Sequence, residues 1–147
     1  MTRSLGDPVT LLGDWRLSRT IDDRLTGRQT RIDGTLSLAA DSPDRIRWEE
    51  KGRWHQPDGD VEVRRGLWVV RDEQTGAWWV RFEDDRDFHP WKPGEPVVHP
   101  CGADTYRGLV QGTPDLWTVE WAVSGPAKDY LMTTELSACA ARPRRAR

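Results

Sequence analysis

The densest chemistry in this chain lies between residues 84 and 106. Asp84-Asp85-Arg86-Asp87-Phe88-His89 is followed by Val97-Val98-His99-Pro100-Cys101-Gly102-Ala103-Asp104-Thr105-Tyr106. Side chains of an extended segment alternate between two faces, so His99 and Cys101 share one parity, Asp104 and Tyr106 the other. Pro100 and Gly102 both sit poorly in mid-strand, and a bulge at Gly102 would bring all four onto one face. Three chemistries are then open. Cys101 could be a nucleophile activated by His99 or His89, with Asp104 orienting the imidazole. His99 or His89 could be a general base, with Tyr106 or Asp104 as the acid or hydrogen-bond donor. A metal is the weakest of the three and none is expected, because His-x9-His-x-Cys matches no standard zinc spacing. Cys101 by itself reads as a small buried hydrophobe, but four such residues within eight positions read as a site.

The elements that must position these groups are strands. Period-two alternation runs through segments 14–22, 28–39, 45–55, 61–71, 77–85, 87–91, 97–111, 116–124 and 130–138, separated by Gly, Pro and Asp turns. The one helical candidate is a turn at 8–12, with Asp7 as cap and Pro8 in the first position. About eight to ten short strands with hairpin spacing read as an all-β sandwich or a closed antiparallel barrel. The barrel is favoured, since closure removes exposed edges and turns one face of every strand toward a shared lumen. If the apolar parity faces inward, Arg19 lies between Leu17 and Ile21, and Glu50 between Trp48 and Gly52. A buried unpaired charge is costly. Either Arg19 and Glu50 pair with each other, or Arg19 grips an anionic ligand through its planar fork. Trp48 and Trp78 share the inward faces, Arg86 is a second anion anchor, and Lys128 sits in a turn that could lie at the barrel mouth.

Composition narrows the function classes. The chain has 147 residues, 36% hydrophobic and 31% charged, with nine Trp against two Tyr and two Phe. That size suits one domain, taken as 1–141 with a basic tail at 142–147. A disordered chain would be poor in large apolar groups. No stretch approaches a membrane span, and mean hydropathy is -0.76. A net charge of -2 gives no global drive toward nucleic acid. Cys101 and Cys139 are too few for a disulfide framework, and residues 1–8 lack the apolar stretch of a signal peptide. A cytoplasmic monomer or homodimer is expected. Glycine-rich phosphate loops, CxxC, HExxH and GxSxG are all missing from the sequence.

Gly13-Asp14-Trp15, opening the first strand, resembles the Gly-x-Trp signature of lipocalins and other calycins, in which the Trp closes one end of a barrel. The chain further resembles a family of small proteins of unknown function, common in actinobacteria. The matching residues are Gly13 to Leu17 with Arg19, Ile21 and Asp22; Phe82 to His89; His99 to Gly108; and Trp117, Trp121 to Pro126 and Lys128 to Tyr130. This resemblance implies a lipocalin-like barrel and brings no established activity. The resulting expectation is a small-molecule-binding barrel with a Trp-lined pocket, foremost an enzyme of isomerase, cyclase or lyase type working by acid–base chemistry without a cofactor. A binding or carrier protein is the alternative, and a haem-binding barrel with His89 or His99 as axial ligand is a third.

Overall fold

A computed structural model describes residues 2–139; the basic segment 142–147 lies outside them. The alternating segments form ten strands: β1 (Gly13–Asp23), β2 (Arg28–Ser42), β3 (Arg45–His55), β4 (Val61–Arg71), β5 (Trp78–Phe82), β6 (Asp87–Pro90), β7 (Val97–Cys101), β8 (Asp104–Gly112), β9 (Leu116–Gly125) and β10 (Lys128–Ala138). The single strand expected over 97–111 is thus two. A 3-10 turn, Pro8–Leu11, precedes β1; Asp7 caps it by accepting from the Val9 N–H, and Pro8 supplies the fixed φ of a helix start. No helix among the described residues is long and apolar enough to cross a membrane.

All pairings are antiparallel, in the order β6-β5-β4-β3-β2-β1-β10-β9-β8-β7. Every neighbouring pair is a sequential hairpin except β1 and β10, which pair from Trp15↔Ala138 to Asp23↔Tyr130. The outer strands of this sheet, β6 and β7, meet across a seam with no ladder between them among the described residues. Phe88 of β6 and His99 of β7 face each other there, ring centres 5.2 Å apart. The all-β expectation therefore stands, as a barrel closed everywhere but at this seam.

The two ends of the barrel differ. At one, the 3-10 turn lies under a cluster of four indoles, Trp15, Trp48, Trp91 and Trp117. Trp117 packs edge-to-face on the other three at 5.4 to 6.0 Å, the offset geometry that aromatic quadrupoles prefer. Three of the four indole N–H groups find oxygen: Trp15 donates to the Leu11 carbonyl at 2.9 Å, Trp91 to the Leu5 carbonyl at 2.7 Å, and Trp48 to the Glu50 carboxylate at 2.9 Å. The Trp117 N–H has no partner among the described residues. Leu11, Leu36, Trp117 and Leu136 are wholly buried in this layer. At the other end the inward residues Ile21, Ile32, Tyr106, Tyr130 and Met132 are only partly buried, and the lumen opens outward.

Candidate functional site

The hairpin β7–β8 collects the residues singled out by type. Its loop is Gly102-Ala103, with Gly102 at φ +60°, a left-handed conformation that glycine takes without penalty. The bulge expected at Gly102 is therefore a two-residue turn. It has the same effect on the faces, because directly paired residues point the same way: Cys101 pairs with Asp104 and His99 with Tyr106. The rings of His99 and Tyr106 lie 6.0 Å apart.

A true bulge occurs on the neighbouring hairpin. Val80 pairs with His89 but Arg81 with Asp87, leaving Phe88 as the extra residue. Consecutive residues that would alternate are then both buried, Phe88 at 9% and His89 at 5% exposure. Phe82, Phe88 and Trp121 form a continuous stack, with centroid spacings of 4.4 and 4.8 Å and interplanar angles of 17° and 13°. Gly108 makes room for it: a Cβ there would stand 2.6 Å from the Trp121 ring. His89 donates from Nδ1 to the Pro90 carbonyl at 2.8 Å. Burial, helped by the charge of Arg65, lowers its pKa to about 4 against that bond, so the imidazole is neutral at pH 7.

Between these two hairpins and β4, at the open end, lies a cavity of about 520 Å³. Phe82 and Phe88 line it from the β5–β6 side, His99, Cys101 and Tyr106 from β7–β8, and Arg65 from β4. Arg86 stands at its rim, its guanidinium 5.1 Å from the Phe82 ring centre and bonded to Asp84 at 2.7 Å. Of the residues expected at the site, His99, Cys101, Tyr106 and Arg86 line this space together. His89 does not; it borders only a void of about 10 Å³ in the lumen. Asp104 pairs with Lys128 at 3.2 Å, so no Cys–His–Asp relay is assembled around Cys101. Lys128 also donates to the Tyr106 hydroxyl at 3.1 Å, and both bonds hold its ammonium above the ordinary value, Tyr106 contributing most. Trp48 is wholly in the core, and Trp78 lies at the plugged end, paired with Arg71. Of the two histidines considered as haem ligands, only His99 faces the cavity.

Beneath the cavity lies the charge cluster. Arg19 and Glu50, 7% and 4% exposed, pair at 3.0 Å, and the Arg19 Nε donates to the Thr134 hydroxyl at 2.8 Å. The pair is joined by a residue that alternation alone did not single out. Arg65 grips the same carboxylate through two bonds, Nε to Oε1 at 3.1 Å and Nη2 to Oε2 at 2.9 Å. Burial opposes ionisation of Glu50, but the two guanidiniums and the Trp48 N–H outweigh it and hold the carboxyl at about 2. A signal for Arg65 existed: it shares the parity of Val63, Leu67 and Val69 on β4.

The chain matches no curated protein. Its fold is similar to that of an S-type phycobiliprotein lyase from Guillardia theta, at 13% identity over 89% of each chain with a TM-score of 0.55. It is also similar to a barrel described as EF1p2_mFAP2b bound to DFHBI, at 13% identity over 92% of this chain and all of the other, with a TM-score of 0.51. A family model described as a family of unknown function (DUF6314) matches residues 11–138. That span holds all ten strands and every residue of the cavity, and the chain belongs to this family.

Proposed function

We propose that the chain binds a small organic molecule at the open end of its barrel. The observation that carries this reading is the 520 Å³ cavity lined by Phe82, Phe88, His99 and Tyr106. Apolar and aromatic walls with a few converging polar groups are the usual makeup of small-molecule sites. A similar barrel is described as bound to DFHBI, in keeping with this use of the fold. Cys101 offers a clean test, since it lines the cavity yet is exposed. Cys101→Trp fills the mouth at little expense to the core. A thermal-shift screen of planar organic metabolites should yield hits with the native chain that vanish with Cys101→Trp. Hits that bind both equally would place the ligand elsewhere.

A second reading, acid–base catalysis of the isomerase, cyclase or lyase type, is favoured by one observation. His99 faces the cavity with no side-chain hydrogen bond to the protein among the described residues, beside the Tyr106 hydroxyl that Lys128 contacts. An unengaged imidazole is free to take a proton from a bound substrate, and Tyr106 is positioned to donate one. A bound metabolite that turns over in the native chain and equally well in His99→Gln removes His99 from that role.

A further inference from the structure

We propose that the ligand of this cavity is a planar monoanion, a carboxylate or an enolate on an aromatic or conjugated frame, whose acidic group is held by Arg65. This rests on the reading of the cavity as a binding site and adds the charge and shape of what enters it.

Two guanidiniums, Arg19 and Arg65, share the single carboxylate of Glu50, which leaves the cluster one positive charge in excess. The other charged groups around the cavity cancel in pairs. Glu83 is bound by Arg47 at 2.6 Å, Arg47 also binds Glu49 at 2.8 Å, and Glu49 is bound in turn by Arg64. Asp84 is bound by Arg86 at 2.7 Å and Asp104 by Lys128 at 3.2 Å. His89 is neutral at pH 7. The surplus therefore resides in the Arg19–Glu50–Arg65 cluster, and only one of its members reaches the cavity.

That member is Arg65. Arg19 is almost fully enclosed and its Nε and Nη2 are spent on Thr134 and Glu50. Arg65 uses Nε and Nη2 on Glu50, its Nη1 bonds to no protein atom among the described residues, and a third of its side chain is exposed. Its donors are thus pre-oriented by one carboxylate and available to another, the fork geometry that suits carboxylates best. The frame follows from the wall. Phe82, Phe88, His99 and Tyr106 line the cavity with four rings, and ring walls, which pair with other rings edge-to-face or offset, favour an aromatic or conjugated frame.

Isothermal titration calorimetry of the full chain with 2-naphthoate and its neutral isostere 2-naphthamide tests this directly. Charge-assisted bonds to a partly buried guanidinium predict that naphthoate binds at least about tenfold more tightly. In Arg65→Gln that preference should fall to near unity. Equal affinities in the native chain would overturn the anionic ligand and leave the cavity standing as a site. Failure of both probes to bind would overturn both readings. A preference that survives in Arg65→Gln would remove Arg65 as the anchor. Should that variant fail to fold, the Arg65 Nε–H resonance of the native chain decides: it must shift with naphthoate and not with naphthamide, and a stationary resonance overturns the assignment.

Discussion

Replacing Glu50 with Gln probes the barrel's interior most sharply. The substitution preserves shape and one acceptor oxygen but leaves Arg19, 7% exposed, without a counter-charge. Breaking one side of a buried ion pair typically costs about 3 to 5 kcal/mol, because the surviving charge stays buried and uncompensated. The carboxyl itself offers an independent figure. It falls from an ordinary value of 4.5 to about 2, and at 1.36 kcal/mol per pH unit that difference amounts to about 3 kcal/mol. A depressed carboxylate contributes this stability fully above its unfolded value and loses it as the pH falls toward 2. Urea unfolding followed by far-UV circular dichroism should therefore show Glu50→Gln about 3 kcal/mol less stable at pH 7, a drop of roughly 6 to 12 °C in Tm for a domain of this size. The gap should begin to close below pH 4.5 and be nearly gone at pH 2. Comparing the two chains at each pH cancels other acid-sensitive groups, Asp33 and Asp84 among them, both held below the usual range by hydrogen bonds that outweigh desolvation. A deficit under about 1 kcal/mol at pH 7, or one that does not narrow on acidification, would refute the view that Glu50 stands ionised between two guanidiniums.

Other perturbations reach other parts of the barrel. Trp15→Phe loses a bond to the Leu11 carbonyl whereas Trp117→Phe loses none, so chemical denaturation should find the first costlier by about 1 kcal/mol beyond the shared loss of ring area. Gly108→Ala drives a Cβ into the Trp121 ring; it should destabilise by about 1 to 3 kcal/mol, and the near-UV circular dichroism of the stack should change with it. His55, bonded to Asp60 at 3.0 Å and Asp33 at 2.9 Å, has its pKa raised, with Asp60 the larger cause. Its NMR titration should therefore fall above 6.5, move down in Asp60→Asn, and place any stabilisation below that midpoint, lost as pH rises through it.

The strands were legible because their chemistry is local. Alternation at Trp15-Leu17-Arg19 or Ile46-Trp48-Glu50 names an inward face wherever one face of a sheet is buried. It does not name a height. Trp78 and Phe82 share a parity on β5, yet one sits at the plugged end and the other at the cavity, since height depends on register with distant strands. Phe88 and His89 escaped a simple reading because a bulge suspends alternation, and Gly102 because a turn and a bulge draw on the same residue type. Arg65 was hidden in the doublet Arg64-Arg65, where one arginine faces out to Glu49 and the other in to Glu50. The grouping of His99, Cys101 and Tyr106 was visible from residue types alone; their separation from His89 and Asp104 was not, because side-chain partners such as Lys128 come from another strand.

The pairing of β1 with β10 also bears on how the chain reaches this state. Each other ladder links strands adjacent in sequence and can zip up from its own turn. The arms β1–β6 and β7–β10 are thus two meanders built from short-range contacts, and joining them requires Trp15 to meet Ala138, a single loop closure spanning nearly the whole chain. The entropy of such a closure grows only with the logarithm of loop length, but it must be met before the ladder rewards it, and it is this kind of contact that slows folding. Until the arms join, β1 and β10 expose unpaired edges capable of capturing another chain, so that ladder is the step at which folding and aggregation compete.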